Sequence, residues 1–261
     1  SLNLTKSRGC SSLYRPNHDF LQYYANPERF QIDDVVTVQA TSLDALYKNE
    51  VFPDMDFVKI DVQGAELDIL KGGEKFLRDH ILGIEIEVEF QPLYKEQPLF
   101  SDVDAYIRNS LTLQLQDISK TYWKYPVGIH VGAAKGQLIF GDALYFRSPY
   151  DILPWCSRSA KDKASNKIIM ACLMGIVYGY LDYSLCVLNQ ATINDFLDRE
   201  MVDSWNTLII DYGKRLKYNG KGSGKLALLF NYFYRICQPV HEGWASFGHL
   251  LGSRKKFGVF N

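Results

Sequence analysis

The stretch that most constrains the fold is residues 56–73, which reads DFVKIDVQGAELDILKGG. It opens with a short β-type run from Phe57 to Val62, turns at Gln63 and Gly64, and then continues as a helical pattern. A strand that enters a helix through a glycine turn is the core of a βαβ unit. Ligands of open α/β sheets bind at the carboxyl ends of such strands. Asp61 occupies that position, so it is the first functional candidate.

Segments on both sides of this stretch predict further elements of the same α/β sheet. Upstream, an extended run at residues 30–40 leads into a short helix with Thr41 or Ser42 as its N-cap. The helix after the glycine turn is predicted at residues 65–78, with an interruption at Gly72-Gly73. These elements alternate as an α/β sheet requires.

The downstream segments continue the pattern to its end. Residues 81–90 alternate strictly between apolar residues and glutamates, which predicts a strand. A helix follows with Ser101 as its expected N-cap, and two extended runs cover residues 113–125 and 136–147. This order is typical of the later strands of an α/β sheet that ends in an antiparallel pair.

A change of composition near Pro149 predicts two regions. Residues 1–148 form the α/β part, and residues 149–261 form a helical C-terminal region with few strand signals. Helices of this region are predicted at residues 193–199, 204–216 and 225–237.

Residues 168–188 are apolar enough to raise the question of a membrane span. Gly179 and Asp182 argue against a span, since the glycine suits a helix end and the charge is unfavourable within a bilayer. We therefore predict two helices packed as a hairpin, with Gly175 and Gly179 at their close contact.

Charged residues on two consecutive strands form the candidate site. Lys59 and Asp61 point to one face of their strand, and Glu85 and Glu87 share a face of the next. Such a cluster could orient a substrate hydroxyl, bind a divalent cation through oxygen ligands, or act as a general base. The alternative is that the glutamates line a solvated face while Lys59 pairs locally. For Glu89, at the strand end, we expect the solvated position.

Other chemistries lack sequence support. The glycine-rich segment 220–225 fails as a phosphate loop, because Asn219 replaces its first glycine and Leu226 its Ser or Thr. The five histidines and five cysteines show no metal-ligand spacing. A net charge of -1 provides no field for nucleic acid or an anionic membrane. We expect neither partner, and a cytoplasmic location with reduced cysteines.

Five segments carry a resemblance to a known family: Arg8 to Leu13, Thr41 to Asp44, Asp56 to Glu66, Leu70 to Gly73, and Ile84 to Glu87. Together they resemble the FkbM-type S-adenosylmethionine-dependent methyltransferases, over about residues 5–147. One departure is Gln63, which stands where many members carry Glu.

The resemblance implies a Rossmann-like methyltransferase fold, the cofactor S-adenosylmethionine, and O-methylation of a hydroxyl on a sugar, glycan or small metabolite. It assigns the catalytic roles to Asp61, as substrate-orienting group or base, and to Glu85, which would face the substrate or support a residue that does. No residue is assigned to a metal, and a divalent cation stays open. The residues expected to bind substrate are Lys59, Gln63, Gly64, Glu66 and Glu87.

The family's glycine-rich cofactor loop has no counterpart after any predicted strand of residues 1–147. We therefore expect a partial methyltransferase domain that begins after the third strand of the family's sheet. Such a chain should be inactive alone and bind S-adenosylmethionine weakly or not at all, which calorimetry would test. An uncovered sheet edge would then invite homodimerisation.

A second hypothesis belongs to another class of protein. The chain would be a non-catalytic interaction protein, in which a degenerate α/β half supports a tyrosine-rich helical module at residues 171–188. A strand followed by a D-x-G-x-x-x-G-like loop in the upstream coding sequence would favour the enzyme, and its absence would favour the interaction protein.

Overall fold

The computed structural model describes residues 1–129, 136–156, 161–194 and 196–216, together with Leu229, Phe233 and residues 245–247. Its strands are β1 Leu2–Thr5, β2 Ile32–Val36, β3 Phe57–Ile60, β4 Gly83–Glu89, β5 Leu113–Ile118, β6 Thr121–Trp123, β7 Gln137–Arg147 and β8 Ala245–Phe247. Its α-helices are α1 His18–Leu21, α2 Leu43–Lys48, α3 Glu66–Gly72, α4 Glu74–His80, α5 Phe100–Tyr106, α6 Pro149–Cys156, α7 Lys161–Tyr178, α8 Leu181–Ile193 and α9 Arg199–Leu216.

The main sheet has the order β3-β4-β7-β6-β8, and β5 also pairs with β7. Strands β3 and β4 are parallel, whereas β7 runs antiparallel to β4 and β5. Strand β5 is therefore parallel to β3 and β4. Strands β1 and β2 form a separate antiparallel pair. The predicted Rossmann-like α/β fold followed by a helical region is confirmed.

The two faces of β4 differ as its alternation predicts. Ile84, Ile86 and Val88 are fully buried in a core that α3, α4 and α5 complete. The glutamates lie on the other face. At the amino end of that face, Leu144 and Phe146 of β7 pack in a second core with helices α6 to α9. The same face is thus apolar under these helices and charged towards the carboxyl ends of β3 and β4.

Local signals explain how the helices near the site begin and end. The Ser42 hydroxyl accepts a hydrogen bond from the Ala45 N–H and caps α2, as predicted. The break at Gly73 between α3 and α4 is also confirmed. Ser101 is not the N-cap of α5, because the Asp102 carboxylate accepts the Leu99 N–H at 2.9 Å and starts the helix earlier.

From Pro149 to residue 216 the described elements are all helices, and α7 and α8 form the predicted hairpin. Gly179 has a φ of 83° at the turn. A Cβ on Gly175 would clash with Ser184 and approach the Tyr183 ring to 2.9 Å, so the helices meet there. No helix among the described residues is long and apolar enough to cross a membrane.

The helix predicted at 193–199 is wrong. Asn194 ends α8, and the Phe196 N–H donates to the Ala191 carbonyl across five residues, a bond typical of helix ends. The helix predicted at 204–216 forms part of α9. The helix predicted at 225–237 lies outside the described ranges.

Two further expectations concern the whole chain. The first is the division into two regions at residue 148, which stays a prediction. Leu82, Leu144 and Phe146 from the α/β part share one hydrophobic core with the C-terminal helices. Within the described residues, β3 pairs only with β4, so it forms an edge of the sheet. Homodimerisation along that edge also stays a prediction. None of the described cysteines is in a disulfide.

Candidate active site

The candidate site lies where the parallel strands β3 and β4 end. Lys59 pairs with Glu85 and Ile60 with Ile86 in the parallel ladder. Asp61, which directly follows β3, is therefore level with Glu87 on the neighbouring strand. This register brings the predicted residues of the two strands to one edge of the sheet, as the position of ligand sites in α/β folds requires.

The turn after Asp61 has a left-handed backbone. Gln63 has a φ of 58° and Gly64 a φ of 101°. A Cβ on Gly64 would lie 3.1 Å from the Tyr94 ring, so both conformation and space favour glycine. The turn is closed by Glu66, whose Oε1 accepts the Val62 N–H at 2.9 Å. The Glu66 side chain is consequently directed back towards the strand end.

Gln63 connects the carboxylates of the two strands. Its Nε2 donates to Asp61 Oδ1 at 3.0 Å and to Glu87 Oε2 at 2.6 Å. Its Oε1 accepts a hydrogen bond from the Tyr94 hydroxyl at 3.2 Å, and its carbonyl accepts the Ser12 hydroxyl at 2.6 Å. Because both ends of the side-chain amide are engaged, its orientation is set, with the N–H groups towards the carboxylates.

Lys59 and Glu85 form a second group on the same face, nearer the amino ends of the strands. Lys59 Nζ lies 2.8 Å from Glu85 Oε1 and 3.6 Å from Asp142 Oδ1. The hydrogen bond to Glu85 raises the pKa of Lys59. The Tyr178 hydroxyl of α7 donates to Glu85 Oε2 at 2.6 Å. The local pairing expected for Lys59 is therefore present, and Glu85 is held from two sides.

Three glutamates at the strand ends are buried together. Glu66 is 2% exposed, Glu87 8% and Glu89 2%, and one carboxylate oxygen of each lies within 4.8 Å of the others. The expectation that Glu89 is solvated is wrong. The reason is that β4 is an internal strand, and the segment after it brings the buried side chains of Tyr94 and Gln97 over its end.

Burial dominates the electrostatics of this cluster. Burial, with contributions from Glu89 and Asp61, raises the pKa of Glu87 to about 10. Burial and Glu66 raise the pKa of Glu89 well above its usual range. The pKa of Glu66 is also raised by burial, although backbone N–H groups act against the shift. Carboxyls in water titrate near pH 4, so all three glutamates hold their protons more strongly than a solvated carboxyl does.

The structure brings five of the predicted residues into one constellation: Asp61, Gln63, Gly64, Glu66 and Glu87. Two others, Lys59 and Glu85, form the neighbouring ion pair. Sequence reasoning missed Glu89, Tyr94 and Tyr178. Glu89 shares the two-residue period of Glu85 and Glu87, which could have indicated it. No local signal could have indicated Tyr178, which lies 93 residues from its partner.

The Rossmann-like sheet places the protein in the class of α/β folds, and its polar side chains lie at the carboxyl ends of parallel strands, the edge where ligands of such folds bind. Residues 7–112 match the family described as Methyltransferase FkbM domain. The predicted resemblance to this family is thereby confirmed for residues 7–112, and the match supports a methyltransferase. It contains the whole acidic constellation but neither Asp142 nor Tyr178. No curated protein and no solved structure matches the chain.

Proposed function

We propose that this protein is an S-adenosylmethionine-dependent methyltransferase that methylates a hydroxyl group of a sugar, glycan or small metabolite. One observation carries the proposal: an exposed carboxylate, Asp61, ends a parallel strand inside the segment that matches the methyltransferase family. Ligands of α/β sheets bind at this edge.

Asp61 has the geometry of a group that orients a hydroxyl or takes its proton. Gln63 binds one of its oxygens, Oδ1, which holds the carboxylate in place. The second oxygen, Oδ2, then faces the acceptor and can receive its hydroxyl hydrogen. A side chain that accepts a proton from the reacting group must lie within hydrogen-bond reach of it, and an exposed strand end allows this approach.

The residues at this edge fit the cationic end of the proposed cofactor. S-adenosylmethionine, when bound, supplies an electrophilic methyl group on a positively charged sulfonium. The Asp61 carboxylate is exposed at this sheet edge, where it can face that positive charge. The Lys59 ammonium, which would oppose a cation, is directed instead to Glu85 and Asp142.

We propose that Glu85 is a positioning residue beside the site. Its two oxygens accept hydrogen bonds from Lys59 and Tyr178, so it links β3 to helix α7. In this role Glu85 keeps the lysine away from the acceptor side. The remaining proposed substrate contacts are Gln63, Gly64, Glu66 and Glu87.

The test is transfer of an isotope-labelled methyl group to a panel of hydroxyl acceptors by the full-length natural protein, since residues 1–261 alone are expected to be inactive. We expect Asp61→Asn, which keeps the shape and removes the charge, to lower kcat/KM by about 10²–10⁴-fold, the usual contribution of a general base. Asp79→Asn serves as the matched control, because Asp79 is paired with Arg78 on α4, away from this edge. Full transfer by Asp61→Asn would contradict the assignment.

The interaction-protein hypothesis makes the opposite prediction. In that case the natural protein would neither bind S-adenosylmethionine nor transfer its methyl group, whichever residue stands at position 61. Calorimetry with the cofactor, alongside the transfer assay, separates the two hypotheses.

A further inference from the structure

The three buried glutamates at the end of β4 lack a positively charged partner. Glu66, Glu87 and Glu89 bring three carboxyls within 4.8 Å of one another. Among the described residues, no Lys, Arg or His forms an ion pair with any of them. Buried charges are normally paired or coordinate a metal. The cluster thus has the donor set of an oxygen-ligated cation site.

A second observation points to a ligand within the cluster. Glu89 is 2% exposed, and its Oε1 has no partner at hydrogen-bond distance among the described residues; the neighbouring Gln97 Nε2 is likewise buried without one. Buried polar atoms nearly always have a partner, so an orphaned carboxylate oxygen indicates a missing one. Glu66 and Glu87, in contrast, accept the Val62 N–H and the Gln63 amide, and the backbone N–H groups of Gly64 and Glu66 also act on the Glu66 carboxylate. These bonds orient the two carboxylates.

The separations suit a divalent cation. Calcium binds oxygen at about 2.3–2.6 Å, so two of its ligand atoms can be at most about 4.6–5.2 Å apart. The three oxygens satisfy this limit at 4.8 Å or less. We propose that Glu66, Glu87 and Glu89 bind a hard divalent cation of the Ca²⁺ or Mn²⁺ type. Water or the second carboxylate oxygens complete its coordination.

The site borders the proposed acceptor position but does not depend on methyl transfer. The exposed Asp61 is two hydrogen bonds from the cluster, through Gln63 to Glu87. A cation held there would place positive charge behind the strand end. Its binding can be measured without cofactor or acceptor, so failure of this proposal and failure of the proposed function are distinguishable.

Mn²⁺ is the probe, titrated into the metal-stripped natural protein and followed by electron paramagnetic resonance. We expect one saturable site per chain, from which Ca²⁺ displaces Mn²⁺. Glu89→Gln and Glu87→Gln should each weaken binding at least about tenfold, since even changes beyond the direct ligands cause losses of that size. Glu85→Gln is the matched control on the same strand and face, and it should leave the affinity essentially unchanged. Its carboxylate already pairs with Lys59.

A second measurement does not rely on variants. Bound Mn²⁺ should broaden the side-chain amide NMR signals of Gln63 and Gln97, which border the cluster. The signal of Gln190 on α8, which packs at the opposite, amino end of the sheet, should be broadened much less. Absence of saturable Mn²⁺ binding in the wild type would overturn the proposal, as would equal binding by Glu89→Gln or broadening that spares Gln63 and Gln97. The carboxyls would then hold protons instead of a metal ion.

Discussion

Glu87 is the single residue whose environment differs most from water at the candidate site. It is almost fully buried, it faces Glu66 and Glu89, and it accepts a hydrogen bond from Gln63. Its pKa rises from 4.5 to about 10, chiefly through burial. In metal-free protein at neutral pH the side chain is therefore a carboxylic acid, which lowers the electrostatic repulsion within the cluster.

This raised pKa predicts how stability depends on pH. Between pH 4.5 and about 10 the folded state keeps a proton on Glu87 that the unfolded state has released. Stability therefore falls as pH rises through this window, by at most about 1.4 kcal/mol per pH unit for one proton. The Glu87→Gln variant has no carboxyl to titrate at this position, so its unfolding free energy should fall less steeply as the pH rises.

Urea unfolding at several pH values between 5 and 9, in the presence of a chelator, measures the two slopes. Glu200→Gln is the control, since Glu200 is an exposed acid in α9 and its replacement should leave the wild-type slope unchanged. Parallel profiles for the wild type and Glu87→Gln would show that the Glu87 carboxyl is ionised in the folded protein.

At the scale of elements, the turn between β3 and α3 determines where the site residues lie. It reverses the chain in a few residues, sets the Gln63 amide between two carboxylates, and directs Glu66 back towards the strand. Gly64 permits this turn because it adopts a positive φ and because it has no Cβ that would press on the Tyr94 ring. The hairpin of α7 and α8 has a similar dependence on glycine, at Gly175.

Gly64→Ala should destabilise the protein by about 1–2 kcal/mol, because a side chain disfavours positive φ and the new Cβ would press on the Tyr94 ring. Chemical denaturation measures the change. Gly9→Ala is the control, as no atom lies within 4 Å of its added Cβ, and it should alter stability by no more than about 0.5 kcal/mol. A neutral Gly64→Ala would mean that the turn relaxes without strain.

Gly175→Ala should lower stability by about 1–3 kcal/mol, since overpacking against Ser184 and Tyr183 outweighs alanine's better helix propensity. Gly213→Ala in α9 provides the contrast. Its added Cβ meets only the end of the Leu181 side chain at 3.2 Å, so the change should be neutral or stabilising by up to about 1 kcal/mol. Thermal melts of both variants test the difference in sign.

At the scale of the whole molecule, the C-terminal helices and the sheet share a hydrophobic core. Phe146 of β7 is fully buried and packs against three tyrosines of the hairpin: Tyr178, Tyr180 and Tyr183. Tyr178 also reaches Glu85 through its hydroxyl. The helical region consequently supports the charged face of the sheet, although it lies outside the segment that matches the family.

Phe146→Ala should lower the free energy of unfolding by about 3–5 kcal/mol, the usual effect of removing a large core side chain. Because the core joins both regions, we expect circular dichroism and tryptophan fluorescence to report one coincident transition in the wild type. Val127→Ala is the control, since Val127 is 94% exposed. Two separate transitions, of which only one responds to Phe146→Ala, would indicate independent domains.

Short-range patterns are sufficient to predict the elements that carry the site. The glycine turn, the alternation of β4 and the hairpin around Gly175 depend on backbone conformation and on side-chain period within about ten residues. For this reason the amino-acid sequence alone places Asp61, Gln63 and Glu87 at one sheet edge. The errors at Ser101 and at residues 193–199 are also local. Competing hydrogen bonds moved those helix ends: the Leu99 N–H donates to the Asp102 carboxylate, and the Phe196 N–H donates to the Ala191 carbonyl.

The stretch from Asp56 to Gly73 thus specified its own strand, turn and helix, because each step follows from interactions between near neighbours in the chain. The environment of the acids on the neighbouring strand β4 was decided only by the tertiary structure. Glu89 is buried because β4 lies between β3 and β7 and the segment after it covers its end, and Glu85 is held by a tyrosine 93 residues away. Burial and pairing of charges depend on which elements meet, and that information is spread over the whole chain rather than contained in any one motif.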